Sequence, residues 1–388
     1  MLQIKTLLLE MQQKISGYDF KKLVNRYNGD KGIRIFTTKN LLSLLLYFHI
    51  SGKKSIRDVI LSLKSKSKLW YHLGLKSISR NNLSYALKNR SHKIFEESFY
   101  MLLNKFINEK GIGLDKRFKF KNPLKAIDSS TISLSLNLFD WAKFRKTKGG
   151  IKLHTLYDIK NQIPEFVNIS NAKRNDMSKC FTYPIIKNSI YTMDKGYIYF
   201  KFFQKINTTG AFFVTRTKIN TKYKIMSRQK KKVSSIKADW IVKITGTQQS
   251  EYPDSLRVIR YYDKEQQTTY EYITNNFKLS AKTIANIYKA RWDIELFFKS
   301  IKQHLKIKTF LGTSENAVKT QIWIALISFL VIQYIRFKTK TSFSFLSSLR
   351  LIKENILTNI SIYRLLSDIQ RISFSPPTKL ERQLELNF

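Results

Sequence analysis

Apolar residues recur at helical spacing along the first part of the chain. Four of them keep the i, i+3, i+4, i+7 interval that places side chains on one face of a helix: Ile56, Val59, Ile60 and Leu63. The run Leu41–Ile50 is a second short apolar segment of helical type. The pattern therefore predicts a helical region over residues 1–110.

The pattern changes after a charged segment that contains Gly111, Gly113 and Pro123. Short β-rich runs follow, beginning with KAIDSSTISLSL and ending with TTYEYIT, and from Ser280 the spacing becomes helical again. Strands and helices in this order predict an α/β domain over residues 120–335, with a β-rich insertion at about 205–275. Residues 336–388 are predicted to form a small helical region and a tail.

The stretch before the boundary has the pattern of a helix that reads DNA. Ser77 or Ser79 can cap a helix, and four residues are placed to pack it against a core: Leu83, Tyr85, Ala86 and Leu87. Five polar residues would then project outward: Arg80, Asn81, Asn82, Lys88 and Arg90. This arrangement is typical of a helix-turn-helix reader, with Arg80, Asn81 and Asn82 meeting base edges. A solvated basic face on an ordinary bundle fits the pattern equally well.

Charge favours a polyanionic partner. The chain has 388 residues, with 70 Lys+Arg against 27 Asp+Glu and a formal net charge of +43. Such a charge repels itself unless a polyanion neutralises part of it, and we expect that polyanion to be nucleic acid. A membrane surface, or lysine favoured by genome composition, is the alternative.

Cysteine content and hydropathy predict a soluble protein of a reducing compartment. The single Cys180 cannot form an internal disulfide, and the five histidines show no zinc-ligand spacing. The most apolar run, Ile322–Ile332, has 11 residues, well short of the ~20 that a membrane helix needs. The N-terminal apolar run is broken by Glu10, so no signal peptide is predicted.

Three acidic residues stand where phosphoryl-transfer chemistry would need them. Cleavage of a DNA backbone by two divalent ions requires carboxylates that project from strand ends and a neighbouring helix. Asp128 lies at the start of the first β-rich run, Asp194 ends a short strand, and Glu295 lies in a predicted helix. Each alone is weak evidence, because most surface acids are merely solvated.

The helix around Glu295 carries a more specific pattern. At about 100° per residue, five residues fall within one arc of roughly 80°: Tyr288, Arg291, Glu295, Lys299 and Lys302. An adjoining apolar stripe would pack inward. An exposed face stabilised by spaced ion pairs explains Arg291–Glu295 and Glu295–Lys299, but it gives no reason for Tyr288 on the same line.

These residues carry a resemblance to a known family. The spacing Tyr288-x2-Arg291-x3-Glu295-x6-Lys302 resembles the Tyr-Arg-Glu-Lys signature of the DDE transposases of bacterial insertion sequences, the cut-and-paste group. AIDSST around Asp128 and YTMDKGY around Asp194 resemble the first two acidic motifs of the family. The similarity covers about residues 125–335, and the region before it resembles the helical domain often fused in front.

The resemblance implies a ribonuclease-H-like catalytic domain with a β-rich insertion between Asp194 and Glu295. It implies that Asp128, Asp194 and Glu295 hold two Mg²⁺ or Mn²⁺ ions and catalyse DNA cleavage. Tyr288, Arg291 and Lys302 would contact phosphates near the cleaved end, with Lys299 beside them on the DNA-binding face.

By the same resemblance, the partners are double-stranded DNA, at element ends and target, and a second copy of the chain in the synaptic complex. The setting would be the bacterial cytoplasm, near the nucleoid. The first hypothesis is an active transposase. A nuclease that cleaves without joining and a non-enzymatic DNA-binding descendant are the alternatives.

Overall fold

A computed structural model describes residues 6–15, 17–70, 79–109, 117–145, 148–172, 177–230, 233–307 and 309–371. The chain divides into two compact units: residues 1–106 with 320–388, and residues 107–319. This division differs from the predicted boundary at 335, because the helix that crosses residue 320 contributes most of its length to the first unit. Gly111, Gly113, Ser77 and the tail beyond 371 lie outside the described residues.

Twelve helices and ten strands are described. The helices are α1 Leu7–Gln13, α2 Tyr18–Arg26, α3 Thr38–Ser51, α4 Ile56–Lys64, α5 Arg80–Asn89, α6 Lys93–Asn108, α7 Phe200–Thr208, α8 Ala281–Ala290, α9 Trp292–Lys299, α10 Glu315–Thr339, α11 Phe345–Asn355 and α12 Ile362–Arg371. The strands are β1 Leu124–Leu134, β2 Lys143–Arg145, β3 Lys148–Asp158, β4 Ile163–Asn171, β5 Ile190–Met193, β6 Phe212–Arg216, β7 Tyr223–Arg228, β8 Ile236–Ile244, β9 Leu256–Asp263 and β10 Thr268–Thr274.

The first unit is all helical in its described residues. The apolar helix α3 is buried along almost its whole length and contacts α1, α4, α5 and α11. Aromatic contacts join α6 to α10, with ring centroids 5.5 Å apart for Phe99–Trp323 and 5.7 Å apart for Phe106–Tyr334. The helical region predicted for the N-terminal part of the chain is confirmed.

Helix α10 is long and apolar enough to cross a membrane by length and composition alone. Its most apolar 18-residue window, however, is 94% buried inside the structure. Burial of this kind is usual for the central helix of a protein core, so the finding is weak evidence for a membrane span.

Helix α5 differs from its predicted arrangement at two positions. Ser79 caps the helix, because its hydroxyl accepts a hydrogen bond from the N–H of Asn82 at 3.1 Å. Tyr85, predicted to pack inward, is instead 60% exposed. Arg90, predicted to project outward, is buried and donates to the backbone carbonyl of Phe36. Since α5 ends at Asn89, Arg90 no longer follows the helical arc that placed it outside.

The second unit is built on one mixed sheet. Strands β4, β3 and β1 are antiparallel neighbours, and β5 and β6 then run parallel to β1, giving the order β4-β3-β1-β5-β6. This order, with helices packed on the sheet, is that of a ribonuclease-H-like domain, as the resemblance implies.

The predicted insertion continues this sheet. Strand β10 pairs antiparallel with β6, and β9, β8 and β7 follow in order. The inserted strands begin at Tyr223, later than the predicted start near residue 205. The reason is that α7 and β6 precede them, and β6 pairs in parallel with β5 as part of the central sheet.

The two faces of the sheet have different coverings. On one face, α7 packs into an aromatic core in which Phe203 and Phe213 stack with centroids 4.2 Å apart. On the other face, the ring centroid of Phe297 on α9 lies 5.3 Å from that of Tyr157 on β3. The ring centroid of Tyr288 on α8 lies 5.0 Å from that of Tyr272 on β10. The second face is the one that carries the candidate chemistry.

Asp158, a buried acid at the end of β3, makes the free energy of unfolding depend on pH. Burial, and then the neighbouring Glu165, raises the pKa of Asp158 to about 7, against 3.8 for the free side chain. The folded state therefore binds a proton that the unfolded chain has already lost, so stability falls as pH rises from 5 to 8. In Asp158→Asn we expect urea midpoints at pH 5 and pH 8 to differ by less than half the wild-type difference.

The Asn amide retains the acceptor that Asp158 offers to the N–H of Asn161. Glu265→Gln is the matched control, because Glu265 is 78% exposed and its ion pair with Lys289 contributes little. Equal pH dependence in wild type and Asp158→Asn would assign the effect to another group.

Candidate active site

Asp128 and Asp194 occupy neighbouring strands at matching positions. In the parallel pair β1–β5, Ile127 is paired with Met193, and each aspartate is the next residue along its strand. Neighbouring strands lie about 4.8 Å apart, so the two side chains leave the sheet side by side on the same face. Strand β5 ends there because the carboxylate of Asp194 accepts a hydrogen bond from the N–H of Gly196 at 3.0 Å and caps a helical turn.

The helix that carries Glu295 is broken, contrary to the single arc predicted from spacing. Helix α8 ends at Ala290 and α9 begins at Trp292, with Arg291 at the turn between them. A π-helical segment over Ser300–His304 then changes the direction in which Lys302 projects. The ammonium of Lys302 donates to the backbone carbonyl of Thr131 on β1 at 2.7 Å, and Lys299 is exposed.

Arg291 joins the helix to the strand. Its Nη2 donates to Oε1 of Glu295 at 2.6 Å, and its Nη1 lies 3.6 Å from Oδ2 of Asp128. The arginine side chain is only 13% exposed, so these contacts are poorly screened by water. Two of the three predicted catalytic acids are therefore held by one guanidinium.

The charges of Asp194 and Glu295 act on the carboxyl group of Asp128. Burial raises the pKa of Asp128 to about 6, against 3.8 for the free side chain. The N–H of Ser129 and the guanidinium of Arg291 lower this pKa, while the charges of Glu295 and Asp194 raise it. Asp128 thus lies within the electric field of both other acids, as a shared cation site requires.

Two buried donors beside the acids have no partner. The hydroxyl of Tyr288 and the Nε of Arg291 are both buried and make no hydrogen bond to any described residue. Burial raises the pKa of Tyr288, so the phenol stays protonated and can donate. Buried donors of this kind are usually satisfied, so both are placed for an acceptor from a ligand.

The structure groups the remaining predicted residues differently. Arg80, Asn81 and Asn82 lie on α5 of the first unit: Arg80 and Asn81 are exposed, and Asn82 is half-buried. Arg216 was missed: it ends β6 just as Asp194 follows β5, and a polar residue closing a strand was the available signal.

A ribonuclease-H-like sheet with Asp, Asp and Glu on two strands and a covering helix defines the DDE class of nucleic-acid enzymes. The model of the transposase DDE domain family matches residues 119–331, more than half of the chain. The chain belongs to this family. A second model, described as a domain of unknown function (DUF4372), matches residues 3–76.

Two curated relatives agree. The chain is 33% identical over 258 residues to the "Putative transposase y4zB" of Sinorhizobium fredii, covering 65% of this chain and 70% of that protein. It is 26% identical over 349 residues to the "Probable transposase for insertion sequence element IS5377" of Geobacillus stearothermophilus, covering 88% of each. By family and relatives, the chain is an insertion-sequence transposase of the DDE type.

Membership of this family implies DNA binding, phosphoryl transfer on DNA and the use of a divalent metal ion. Among the residues that the structure describes, no three Asp, Glu, His or Cys side chains lie close enough together to hold one ion. The cation between Asp128 and Glu295 in this structure is the guanidinium of Arg291.

Proposed function

We propose that this chain binds the ends of an insertion sequence, cleaves the DNA there in a metal-dependent reaction and transfers the freed strand to target DNA. The observation that carries the proposal is the placement of Asp128 and Asp194 on one sheet face, with Glu295 of the covering helix linked to Asp128 through Arg291. In cleavage, the oxygen of water bonds to phosphorus and the P–O3′ bond breaks. In transfer, the resulting 3′-hydroxyl attacks a target phosphodiester in the same way.

Asp128, Asp194 and Glu295 would hold two Mg²⁺ or Mn²⁺ ions. The donor set fits in kind, because all three ligands are carboxylates, which these hard ions prefer. The guanidinium held between two of the acids supports this proposal, because these carboxylates already pair with a positive charge. When bound, the ions would activate the attacking oxygen and stabilise the leaving one.

Tyr288 and Arg291 would hold the scissile phosphate beside the acids. Arg291 keeps Glu295 in place through Nη2, while its buried Nε is left to donate to a phosphate oxygen. The hydroxyl of Tyr288 offers one further hydrogen bond from the same side. Lys299 is exposed for a longer-range contact, and the proposal for Lys302 requires it to exchange its bond to Thr131 for one to DNA.

We assign recognition of the element end to α5. The partner is double-stranded DNA, and joining two ends calls for two copies of the chain, so we propose a homodimer in the DNA complex. The bacterial cytoplasm is the proposed location, since the DNA substrate lies there.

One experiment tests the function. Purified protein is incubated with Mg²⁺, a labelled duplex that carries the inverted repeat flanking its gene, and a supercoiled target plasmid. We expect cleavage at the repeat boundary and labelled DNA joined to the plasmid, both absent with EDTA. A matched duplex with a scrambled repeat is the control.

The outcomes separate the alternatives. Cleavage without joining would make the chain a nuclease of the same fold. Binding without cleavage under any divalent ion would make it a DNA-binding descendant. Either result would overturn the proposed reaction.

A further inference from the structure

Arg216 continues the row of acids across the sheet. In the parallel pair β5–β6, Thr192 is paired with Val214, and Asp194 and Arg216 each lie two residues beyond this pair, at the same end of the sheet. On its other side Arg216 is paired with Tyr272 of β10. Because side chains two residues apart share a sheet face, Arg216 projects on the face that carries Asp128 and Asp194.

Beside this row lies a cavity of about 540 Å³. Its wall includes Arg216, Tyr272 and the two proposed phosphate-binding residues, Tyr288 and Arg291. Tyr288 and Arg291, each of which has a buried donor without a partner, therefore line the same cavity as Arg216. A group bound by Tyr288 and Arg291 would have Arg216 as a neighbour.

The other three cations of this wall each have a carboxylate partner: Arg117 with Asp293, Lys289 with Glu265, and Arg291 with Glu295. In the part of the chain that the structure describes, the guanidinium of Arg216 has neither a hydrogen bond nor an ion pair. Its contact is with the ring of Tyr270, 4.4 Å from the centroid, which fixes its direction while leaving its N–H groups available.

From these observations we infer that Arg216 binds a backbone phosphodiester of the DNA, within a few nucleotides of the one that is cleaved. The inference rests on the proposed function and adds to it a contact from the central sheet. A guanidinium presents a planar fork of donors that matches phosphate oxygens, and stacking on Tyr270 reduces the entropy lost on binding. A purely structural role, in which Arg216 only supports Tyr270, is the competing explanation.

The test combines a substitution in the protein with DNA duplexes in which one phosphate at a time is made uncharged. Element-end duplexes each carry one methylphosphonate, at successive positions around the cleavage site, on the transferred strand or on its complement. A third series places it in a target duplex. Dissociation constants are measured in EDTA, so that no strand is cut, for wild type and Arg216→Ala.

We expect Arg216→Ala to bind unmodified DNA about tenfold more weakly at low salt, and the slope of log K against log salt to fall by about 0.9. At one position the methylphosphonate should weaken wild type by about the same factor and leave Arg216→Ala unchanged. The series in which this happens identifies the strand that Arg216 contacts. Arg216→Lys should recover part of the affinity.

Arg260→Ala is the matched control. Arg260 also lies on this sheet over an aromatic ring, 5.5 Å from that of Trp240, but it is paired with Glu271. Each methylphosphonate should weaken DNA binding by Arg260→Ala by the same factor as it weakens binding by wild type. If every methylphosphonate reduces the DNA affinity of Arg216→Ala by as much as it reduces that of wild type, Arg216 contacts no phosphate and its role is structural. That result, with a wild type that binds and cleaves normally, would leave the proposed function intact.

Discussion

Asp128→Asn, Asp194→Asn and Glu295→Gln are each expected to reduce the rate of DNA cleavage by about a thousandfold or more. Each substitution would remove one negative ligand from the proposed metal site, where several kcal/mol of charge stabilisation would be concentrated. The amide replacements keep the size of each side chain, so binding of the element end, measured in EDTA, should stay within about threefold of wild type. The measurement is a single-turnover cleavage rate at saturating Mg²⁺.

The three losses should not add. Because the proposal assigns the acids to one site, a double variant such as Asp128→Asn with Glu295→Gln should be no slower than the worse single variant. Asp254→Asn is the control: its carboxylate accepts hydrogen bonds from Gln204 and Asn207, away from the acid row, and normal cleavage is expected. A variant of Glu295 with near-normal Mg²⁺-dependent cleavage would remove that residue from the mechanism.

Replacing the exposed residues at the start of α5 should have the second largest effect. Arg80→Ala and Asn81→Ala are each expected to cost roughly 1–3 kcal/mol in binding to the true element end, and little on random DNA. The Ser79 cap fixes the first turn of α5 and leaves both side chains exposed, as base-edge contacts require. Asn82 is half-buried, so its replacement should cost less. The measurement is the affinity of each variant for specific and random duplexes across a salt series, which distinguishes base recognition from phosphate binding.

Lys105→Ala is the matched control for α5, since Lys105 is an exposed cation on α6. It should weaken both duplexes slightly and equally. If Arg80→Ala also weakens both duplexes equally, α5 is a phosphate-binding surface and the specific reader lies elsewhere.

Local signals were sufficient for the starts of helices. Ser79 and Ser280 were placed at helix starts from the sequence, and each hydroxyl accepts a hydrogen bond from the N–H three residues on. Such caps depend on neighbours in the chain and need no tertiary contact. The order of strand-forming runs and the three spaced motifs, through the resemblance they carry, likewise led to the ribonuclease-H-like fold.

Spacing alone was misleading where packing competes with the ideal helix. The predicted arc treated residues 287–305 as one straight helix, yet the helix breaks at Arg291 and passes into a π-helical turn. Tyr85 and Arg90 exchanged their predicted environments for a similar reason. Arg90 reaches Phe36, which lies 54 residues earlier, and no local pattern contains that contact.

By itself, the sequence determined the class of protein, and it supplied the prediction of the three acids and of the residues around Glu295, because these are matters of residue type and order. The tertiary structure decided which side chains share a surface. Strand pairing, which joins residues far apart in the chain, set Asp128 beside Asp194 and brought Arg216 into the same row. Helical spacing already placed Arg291 beside Glu295, and the packing of the helix on the sheet then brought the same guanidinium to Asp128, a contact that periodicity alone does not contain.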